Sequence, residues 1–158
     1  MPIDDAQFKL AMSHFASGVT VVTTQFDAKP FGMTVASFAS LSLHPPLVLV
    51  CIEKNIKTHE ALVATHRFAV NILSREQSEI STRFASKMED KFNGIAFTSG
   101  AALGMPLIDN ALTTLECSVT SQLAGGDHSI FVGEVVAITT RDGTPLVYYR
   151  SGYHSLSS

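Results

Sequence analysis

The sequence predicts a mainly β fold, an antiparallel barrel with a few short flanking helices. Short β-branched and apolar runs, bounded by glycine, proline and aspartate, recur along the chain. Several neighbouring runs are separated only by tight turns, which join antiparallel strands. We count about six or seven strands and three short helices, a balance that favours a barrel over a doubly wound sheet. The 158 residues suit a single domain over residues 1–158.

The first predicted element is a helix over residues 4–15. Its apolar residues follow the spacing of one helical face: Phe8, Ala11, Met12 and Phe15. Asp4 or Asp5 is placed to cap the amino terminus of this helix.

A β-rich stretch comes next. Residues 18–24 are almost entirely β-branched and predict a strand, and residues 27–30 predict a turn. Small and hydroxyl-bearing side chains alternate loosely with larger apolar ones over residues 31–41. Two prolines within residues 44–46 interrupt the chain, because each removes a ladder donor. The continuous apolar run 47–52 predicts a buried strand.

The second half of the chain contains two short helices and the longer strands. Residues 57–65 predict a helix, 67–73 a strand, and 74–84 a second helix that begins with a Ser-x-x-Gln capping box. Glycines and a proline mark residues 86–106 as a loop region. The remaining strands are predicted at 113–123, 129–140 and 145–149, with turns at 124–127 and 141–143.

Composition and missing motifs exclude several classes of protein. Hydrophobic residues make up 46% and charged residues 16%, so the chain is too apolar for disorder and too weakly charged for a surface that is solvated everywhere. We therefore expect part of the surface to be covered by a partner subunit or a ligand. The net charge of −3 offers no basic footprint for nucleic acid. The sequence has no metal-ligand spacing of His or Cys, no GxGxxG turn, no P-loop and no GxSxG elbow.

The sequence also indicates a reducing, cytoplasmic compartment. Cys51 and Cys117 cannot build a disulfide framework, and both lie in apolar runs typical of buried free thiols. The amino terminus, Met-Pro-Ile-Asp-Asp, is acidic where a signal peptide is basic. The longest apolar run, 47–52, is far shorter than the ~20 residues that cross a bilayer. We therefore expect no membrane partner.

The most unusual segment is the small-residue stretch 32–43. Small side chains let a flat ligand approach the backbone, and the hydroxyls of Thr34, Ser37 and Ser40 are available to donate to carbonyls and ring nitrogens. The alternative is that these residues simply pack tightly against a helix.

Three further positions suit an anionic or nucleotide ligand. Arg83 follows two hydroxyl residues and is suited to grip a phosphate bidentately, although a solvated surface arginine is the commoner outcome. Thr58 lies in the first turn of the 57–65 helix, whose amides would suit an anion or simply form an ordinary cap. His128 follows a glycine-rich turn that gives it room at a barrel mouth, although a turn histidine is usually just exposed.

Taken together in their order, these segments resemble the short-chain flavin reductases, which are the reductase components of two-component flavin monooxygenases. Each motif alone is weak, but five in the same order cover nearly the whole chain. They are the helix and strand within 8–24, the stretch 32–48, Asn71-Ile72-Leu73 with Arg83-Phe84-Ala85, Gly126-Asp127-His128 with Gly133-Glu134-Val135, and the ending 145–153.

The resemblance implies an FMN-binding split barrel, with six antiparallel strands in Greek-key order. It also implies a homodimer with flavin bound near the dimer interface. The isoalloxazine ring would lie against Thr34, Val35, Ala36, Ser37 and Ser40, largely through backbone groups. The wall around the ring and ribityl chain would continue through Cys51, Ile52 and Asn55. The other implied contacts are Thr58 and Arg83 at the phosphate, Phe84 nearby, His128 at the nicotinamide, and Tyr149 and Arg150 as further contributors.

The implied reaction is hydride transfer from NADH or NADPH to FMN or FAD, with the reduced flavin passed to a separate oxygenase component. The flavin would be a diffusible substrate. The hydride step needs stacked rings but no side-chain acid or base, so His128 is expected to position the nicotinamide. No arginine cluster accompanies residues 125–129, which favours NADH because a 2′-phosphate needs a cation. The residues leave the choice between FMN and FAD open.

Two features of this sequence bear on how far the family pattern applies to it. Val35 and Ala36 are wholly apolar, so any specificity at these positions must come from backbone amides. We expect no regulatory carboxyl extension beyond Ser158.

Two alternatives use the same barrel. One is a flavin- or haem-binding carrier or storage protein without reductase activity, which would not need the Gly-Asp-His segment. The other is an oxidase of the pyridoxamine-phosphate type, which would need a basic phosphate pocket. The 11 lysines and arginines of the chain form no such cluster in the sequence.

Overall fold

The structure, a computed structural model, describes residues 2–157 and has three α-helices within that range. The helices are α1 (Asp5–Ser13), α2 (Lys57–Thr65) and α3 (Ser78–Ala85), the last preceded by a 3-10 turn at Arg75–Gln77. The strands are β1 (Ser17–Gly18), β2 (Thr20–Phe26), β3 (Lys29–Val35), β4 (Phe38–Ser42), β5 (Leu47–Glu53), β6 (Arg67–Ile72), β7 (Phe97–Ser99), β8 (Pro106–Ile108), β9 (Thr113–Gly125), β10 (His128–Thr140), β11 (Leu146–Tyr149) and β12 (Gly152–Ser155). None of the helices between residues 2 and 157 is long and apolar enough to span a membrane.

Seven strands form the main sheet, in the order β3-β2-β6-β9-β10-β5-β4, and every neighbouring pair is antiparallel. The predicted mainly β, antiparallel class is therefore confirmed. The sheet has seven strands where six were expected. Two of the seven strands come from residues 29–42, where β3 ends at Val35 and β4 begins at Phe38 after a turn at Ala36 and Ser37.

The two edges of this sheet are consecutive in the chain. β3 and β4 lie at opposite ends of the strand order, yet only two residues join them. The N–H of Cys51 on β5 donates to the carbonyl of Ser37 at 3.0 Å. The β3–β4 corner, residues 36–37, is therefore held against the end of β5.

The core lies on both faces of β2, because successive side chains of a strand point to opposite sides. Val22 belongs to a buried cluster with Phe68 and Phe131, which α2 covers with Leu62. The second cluster lies beneath α3 and contains Val19, Val21, Leu73, Phe84, Phe92, Ile108 and Leu146. These two clusters fix α2 and α3 on the sheet.

Most local predictions are confirmed. The helix at 57–65 has the predicted bounds, and α1 is capped by Asp4, whose carboxylate accepts the N–H of Ala6 at 2.7 Å. The predicted hairpin at 124–127 joins β9 to β10. The predicted loop region 86–106 contains β7, which pairs with β8, and β12 was not predicted at all. These short strands lack β-branched runs and exist because a partner strand pairs with them.

A buried carboxylate organises the loop before β8. Glu116 on β9 is 3% exposed and accepts backbone N–H groups from Ala102, Leu103 and Met105 at 3.1, 2.9 and 3.3 Å. These donors replace the water that the carboxylate loses, which makes its burial tolerable. The backbone of Gly100 approaches so closely that a Cβ at that position would overlap the carboxylate.

Candidate functional site

The β3–β4 corner lies at the surface, and its two carbonyls already accept the N–H groups of Phe38 and Cys51 at 3.0 Å. Ala36 and Ser37 are exposed, and Ser40 on β4 is exposed as well. Val35 is 3% exposed and packs into the core, so only its backbone is available to a ligand. Thr34 is half-buried, and its hydroxyl donates to the carbonyl of Ser81 on α3 at 2.6 Å. The corner thus combines an accessible backbone with a firm attachment to α3.

The end of β5 continues this surface. Cys51 is half-buried and bonds the corner through its N–H, whereas the side chain of Ile52 is fully buried. Asn55 follows the strand in a left-handed conformation with φ at 67° and is exposed. Burial raises the pKa of the Cys51 thiol, which therefore stays protonated at neutral pH.

The amino terminus of α2 follows directly and carries Thr58, which is 5% exposed. Ile56 precedes the helix, so no side chain caps its first amides. The sequence left two alternatives open for these amides, an anion site or an ordinary side-chain cap, and the side-chain cap is not formed. The next residue, His59, lies 2.8 Å from the hydroxyl of Ser129 through its Nε2, and this contact joins α2 to β10.

His128 lies at the same end of the sheet as Cys51 and Asn55, because β5 pairs with β10 and places His128 opposite Glu53. Its Nδ1 is 2.7 Å from the Asp127 carboxylate. That hydrogen bond lowers the pKa of Asp127. Lys54 holds the hairpin tip by donating from its backbone N–H to Asp127 and from Nζ to Gly126, both at 2.9 Å.

Arg83 lies in the last turn of α3. Its Nε is buried and has no hydrogen-bond partner within residues 2–157. A buried donor left unpaired costs about 1–3 kcal/mol, and an arginine donor is best satisfied by a phosphate or carboxylate oxygen. This orphaned donor fits the predicted phosphate contact and disfavours a merely solvated arginine. Phe84, the neighbouring residue, is fully buried and packs against Phe92, with ring centroids 4.9 Å apart.

Two residues beside Arg83 were not predicted. Lys91 donates from Nζ to the carbonyls of Phe84 and Gly32 at 3.0 and 3.3 Å, and burial lowers its pKa. Tyr153 places its phenol oxygen 2.7 Å from the hydroxyl of Ser81. Lys91 lies in a predicted loop with no pattern to mark it. Tyr153 lies within the carboxyl-terminal motif, which could have pointed to it.

Tyr149 is not brought to α3. Its ring packs against His154 at a centroid distance of 6.0 Å, whereas Tyr148 packs against Tyr153 at 5.5 Å. The two neighbouring tyrosines point to opposite sides of β11, as in any strand. Arg150 is exposed in the turn that follows β11.

The predicted residues therefore form two groups. One group surrounds the meeting point of the β3–β4 corner, the end of β5 and the β9–β10 hairpin: Ala36, Ser37, Cys51, Asn55 and His128. The other group lies where α3 rests on β3: Thr34, Arg83 and Phe84. Residues 34–37 connect the two groups along the chain.

A separate cleft of about 600 Å³ contains none of the predicted residues. It is lined by parts of segments 74–80, 94–96, 109–112 and 141–144. Two pairs of its lining side chains bond each other: Arg141 with Asn110 at 2.9 Å and Arg75 with Glu76 at 3.0 Å. The unpaired Nε of Arg83 lies on α3 and not in this cleft.

Comparison with known proteins gives one consistent result. The flavin reductase like domain matches residues 12–157. The reductase component of 4-nitrophenol 4-monooxygenase/4-nitrocatechol 2-monooxygenase from Rhodococcus opacus is 40% identical over 96% of this chain and 81% of its own length. An NADH-dependent FAD reductase from Streptomyces globisporus is 40% identical over 87% of this chain and 78% of its own length.

Solved structures agree. The Streptomyces globisporus NADH:FAD oxidoreductase SgcE6, in complex with NAD and FAD fragments, superimposes with a TM-score of 0.93 at 36% identity, covering 98% of this chain and 93% of that one. The flavin reductase PheA2 in its native state gives a TM-score of 0.92 at 38% identity, covering 99% and 100% of the two chains. Sequence, structure and site thus lead to one assignment: the chain belongs to the flavin reductase-like family.

Proposed function

We propose that this chain is an NAD(P)H:flavin oxidoreductase that reduces FMN or FAD and supplies the reduced flavin to a separate oxygenase component. The observation that carries the proposal is the unpaired, buried Nε of Arg83 on α3, the helix that Thr34 ties through Ser81 to the strand leading into the exposed corner at residues 36–37. That pairing suits a ligand with a flat ring at one end and a phosphate at the other. The proposal agrees with the activities named for the relatives.

The flavin-binding residues are those that the family resemblance implies. The ring would contact the backbone of residues 34–37 and the neighbouring Ser40, with Cys51, Ile52 and Asn55 continuing the wall. Arg83 would hold phosphate, with Thr58 on a different helix as a second phosphate contact. Bound flavin supplies the hydride acceptor, and the protein supplies its position and electrostatic surroundings.

The nicotinamide would be positioned by His128. The contact between Nδ1 and Asp127 fixes the ring orientation and leaves Nε2 for a ligand. NADH is the favoured donor, because residues 125–129 contain no arginine or lysine for a 2′-phosphate and the Lys54 ammonium beside them already donates to the Gly126 carbonyl. The relative from Streptomyces globisporus is likewise named an NADH-dependent FAD reductase.

We propose that the protein works as a homodimer. Its accessible surface is 9298 Å², whereas a compact monomer of 17.0 kDa exposes about 7,700 Å². The excess of about 1,600 Å² exceeds the ~800 Å² that each partner buries in a standard interface. α1 has no buried residue, and its apolar side chains Phe8, Leu10 and Met12 are 57%, 56% and 54% exposed; Phe15, just after the helix, is 81% exposed. A second copy of the chain that covers α1 accounts for this apolar surface.

Three further proposals concern the domain, the topology of the sheet and the compartment. Residues 1–158 form one flavin reductase-like domain, supported by the family match over most of the chain. The main sheet closes as the Greek-key split barrel of the family, supported by the bond that ties the β3–β4 corner to β5. The compartment is the cytoplasm, supported by two free cysteines.

Anaerobic dialysis tests whether reduced flavin leaves the protein. The protein, NADH and excess FMN occupy one chamber, and a membrane that the protein cannot cross separates it from the other. We expect reduced FMN to accumulate in the protein-free chamber in large excess over the protein. Reduced flavin that stays with the protein would instead favour a flavin carrier.

A further inference from the structure

The carboxyl-terminal strand β12 reaches α3 through one phenol group. The Oη of Tyr153 lies 2.7 Å from the hydroxyl of Ser81 and 3.5 Å from that of Thr82. Ser81 is fully buried whereas Tyr153 is 38% exposed, so the hydrogen bond lies at the edge of the core and is shielded from water on the Ser81 side. The two residues are 72 positions apart in the chain, so this bond links the end of the protein to its middle.

The position of α3 depends on contacts of this kind. The helix has only eight residues, and helices of that length are unstable in isolation. On one side, the hydroxyl of Thr34 bonds the Ser81 carbonyl at 2.6 Å. The Phe84 ring also packs closely on Gly32, where a Cβ would lie 2.9 Å from its Cε1. Tyr153 adds a second contact to the same residue, at the hydroxyl of Ser81.

Arg83 follows Ser81 by two residues and carries the buried, unpaired Nε. Its guanidinium donates two parallel hydrogen bonds to a phosphate only when the helix holds the arginine at a fixed angle, because the geometry of the guanidinium fork is rigid. A shift of α3 at Ser81 therefore changes the phosphate contact directly, whereas it reaches the ring end of the site only through the hydrogen bond between Thr34 and the Ser81 carbonyl.

We propose that Tyr153 is a positioning residue: by holding Ser81 it fixes the turn of α3 that carries Arg83, and it thereby sets the preference of the enzyme for phosphorylated flavins. This inference rests on the proposed function, in which Arg83 holds the flavin phosphate.

The chain offers a matched control in Tyr148. Its ring packs against Tyr153 at 5.5 Å, and the structure records no hydrogen bond for its hydroxyl within residues 2–157. Tyr148→Phe and Tyr153→Phe each remove one phenol oxygen from the same pair of rings, but only Tyr153→Phe breaks the link to Ser81.

The experiment measures dissociation constants for FMN and for riboflavin, which lacks the phosphate, by fluorescence titration of the full-length protein. We expect Tyr153→Phe to weaken FMN binding about threefold to tenfold, the range for one lost hydrogen bond, with riboflavin unchanged. Tyr148→Phe should match the wild type with both ligands. If Tyr153→Phe does not fold, Ser81→Ala removes the same hydrogen bond from the helix side and should weaken FMN selectively.

Arg83→Gln separates this inference from the proposed function. Selective loss of FMN binding in both Arg83→Gln and Tyr153→Phe supports both. Selective loss in Arg83→Gln alone, or equal loss of FMN and riboflavin in Tyr153→Phe, overturns the positioning role and leaves the phosphate contact in place. No selective loss in Arg83→Gln removes the phosphate contact itself, and the role of Tyr153 falls with it.

Discussion

The backbone N–H of Cys51 donates to the carbonyl of Ser37 at 3.0 Å, which ties the β3–β4 corner to the end of β5. This bond places a half-buried thiol beside the backbone that we propose receives the flavin ring. The other cysteine has a different environment. Cys117 is fully buried, and burial together with the neighbouring Glu116 carboxylate raises its pKa to about 12.

The two thiols should therefore differ in reactivity towards a disulfide reagent. In the native protein we expect Cys51 to react slowly and Cys117 not at all, because only Cys51 is accessible and only thiolates attack. Saturating FMN should slow the reaction of Cys51 at least severalfold. Release of the coloured thiol gives the rate, and Cys51→Ser is the control that should leave no reactive thiol. An unchanged rate in the presence of FMN would remove Cys51 from the flavin wall.

Replacing His128 should separate nicotinamide binding from flavin binding. We expect His128→Ala to raise the KM for NADH about tenfold, the loss of one hydrogen bond, and to leave the dissociation constant for FMN unchanged. Asp127→Asn should shift the same KM in the same direction but less, because the ring loses only its orienting partner. Steady-state kinetics and flavin fluorescence provide the two readouts. Equal loss of both affinities, or loss of neither, contradicts the role of His128.

Gly133 on β10 should not tolerate a side chain. A Cβ at that position would lie 2.6 Å from Cζ of Phe68 and 2.9 Å from Cβ of Cys117, both fully buried. We expect Gly133→Ala to lower the free energy of unfolding by about 1–3 kcal/mol through overpacking. Gly18→Ala is the control, because a Cβ there meets open space. Urea denaturation measures both, and two variants of equal stability would show that the core around Phe68 is looser than described.

His59 should make stability depend on pH. Burial, and then the nearby Lys54, lower the pKa of His59 in the folded chain. The unfolded chain therefore binds the proton more readily. The stability that neutral His59 gives the folded chain is complete above the ordinary histidine pKa of about 6.5 and decreases as the pH falls below it. His59→Gln keeps a partner for Ser129 but cannot titrate. We expect its urea midpoint to fall less than that of the wild type between about pH 7.5 and pH 5.5. Parallel pH profiles for the two proteins would argue against the lowered pKa.

The sequence alone predicts those parts of the molecule whose signal is local. The bounds of α2 and the hairpin before His128 follow from helix periodicity and from a glycine-rich turn. β12 carries no such signal, because its pairing with β11 depends on the assembled fold. β3 and β4 are separated by a corner at residues 36–37 that periodicity does not mark.

The same distinction applies to the candidate site. Arg83 and His128 lie in motifs of consecutive residues, which can be recognised without the fold. The role of Tyr153 depends on a contact across 72 residues, and that of Lys91 on two carbonyls that only the folded chain brings together. Residues that support a site from a distance in sequence are therefore the ones that pattern reasoning misses.

The most direct test of the central claim is the rate of nicotinamide oxidation by the purified protein, with NADH or NADPH in combination with FMN, FAD or riboflavin. We predict turnover that saturates with added flavin and is faster with NADH than with NADPH. The fastest pair then identifies the physiological cofactors. Flavin binding without any nicotinamide oxidation would contradict the account and would identify the protein as a non-enzymatic flavin carrier.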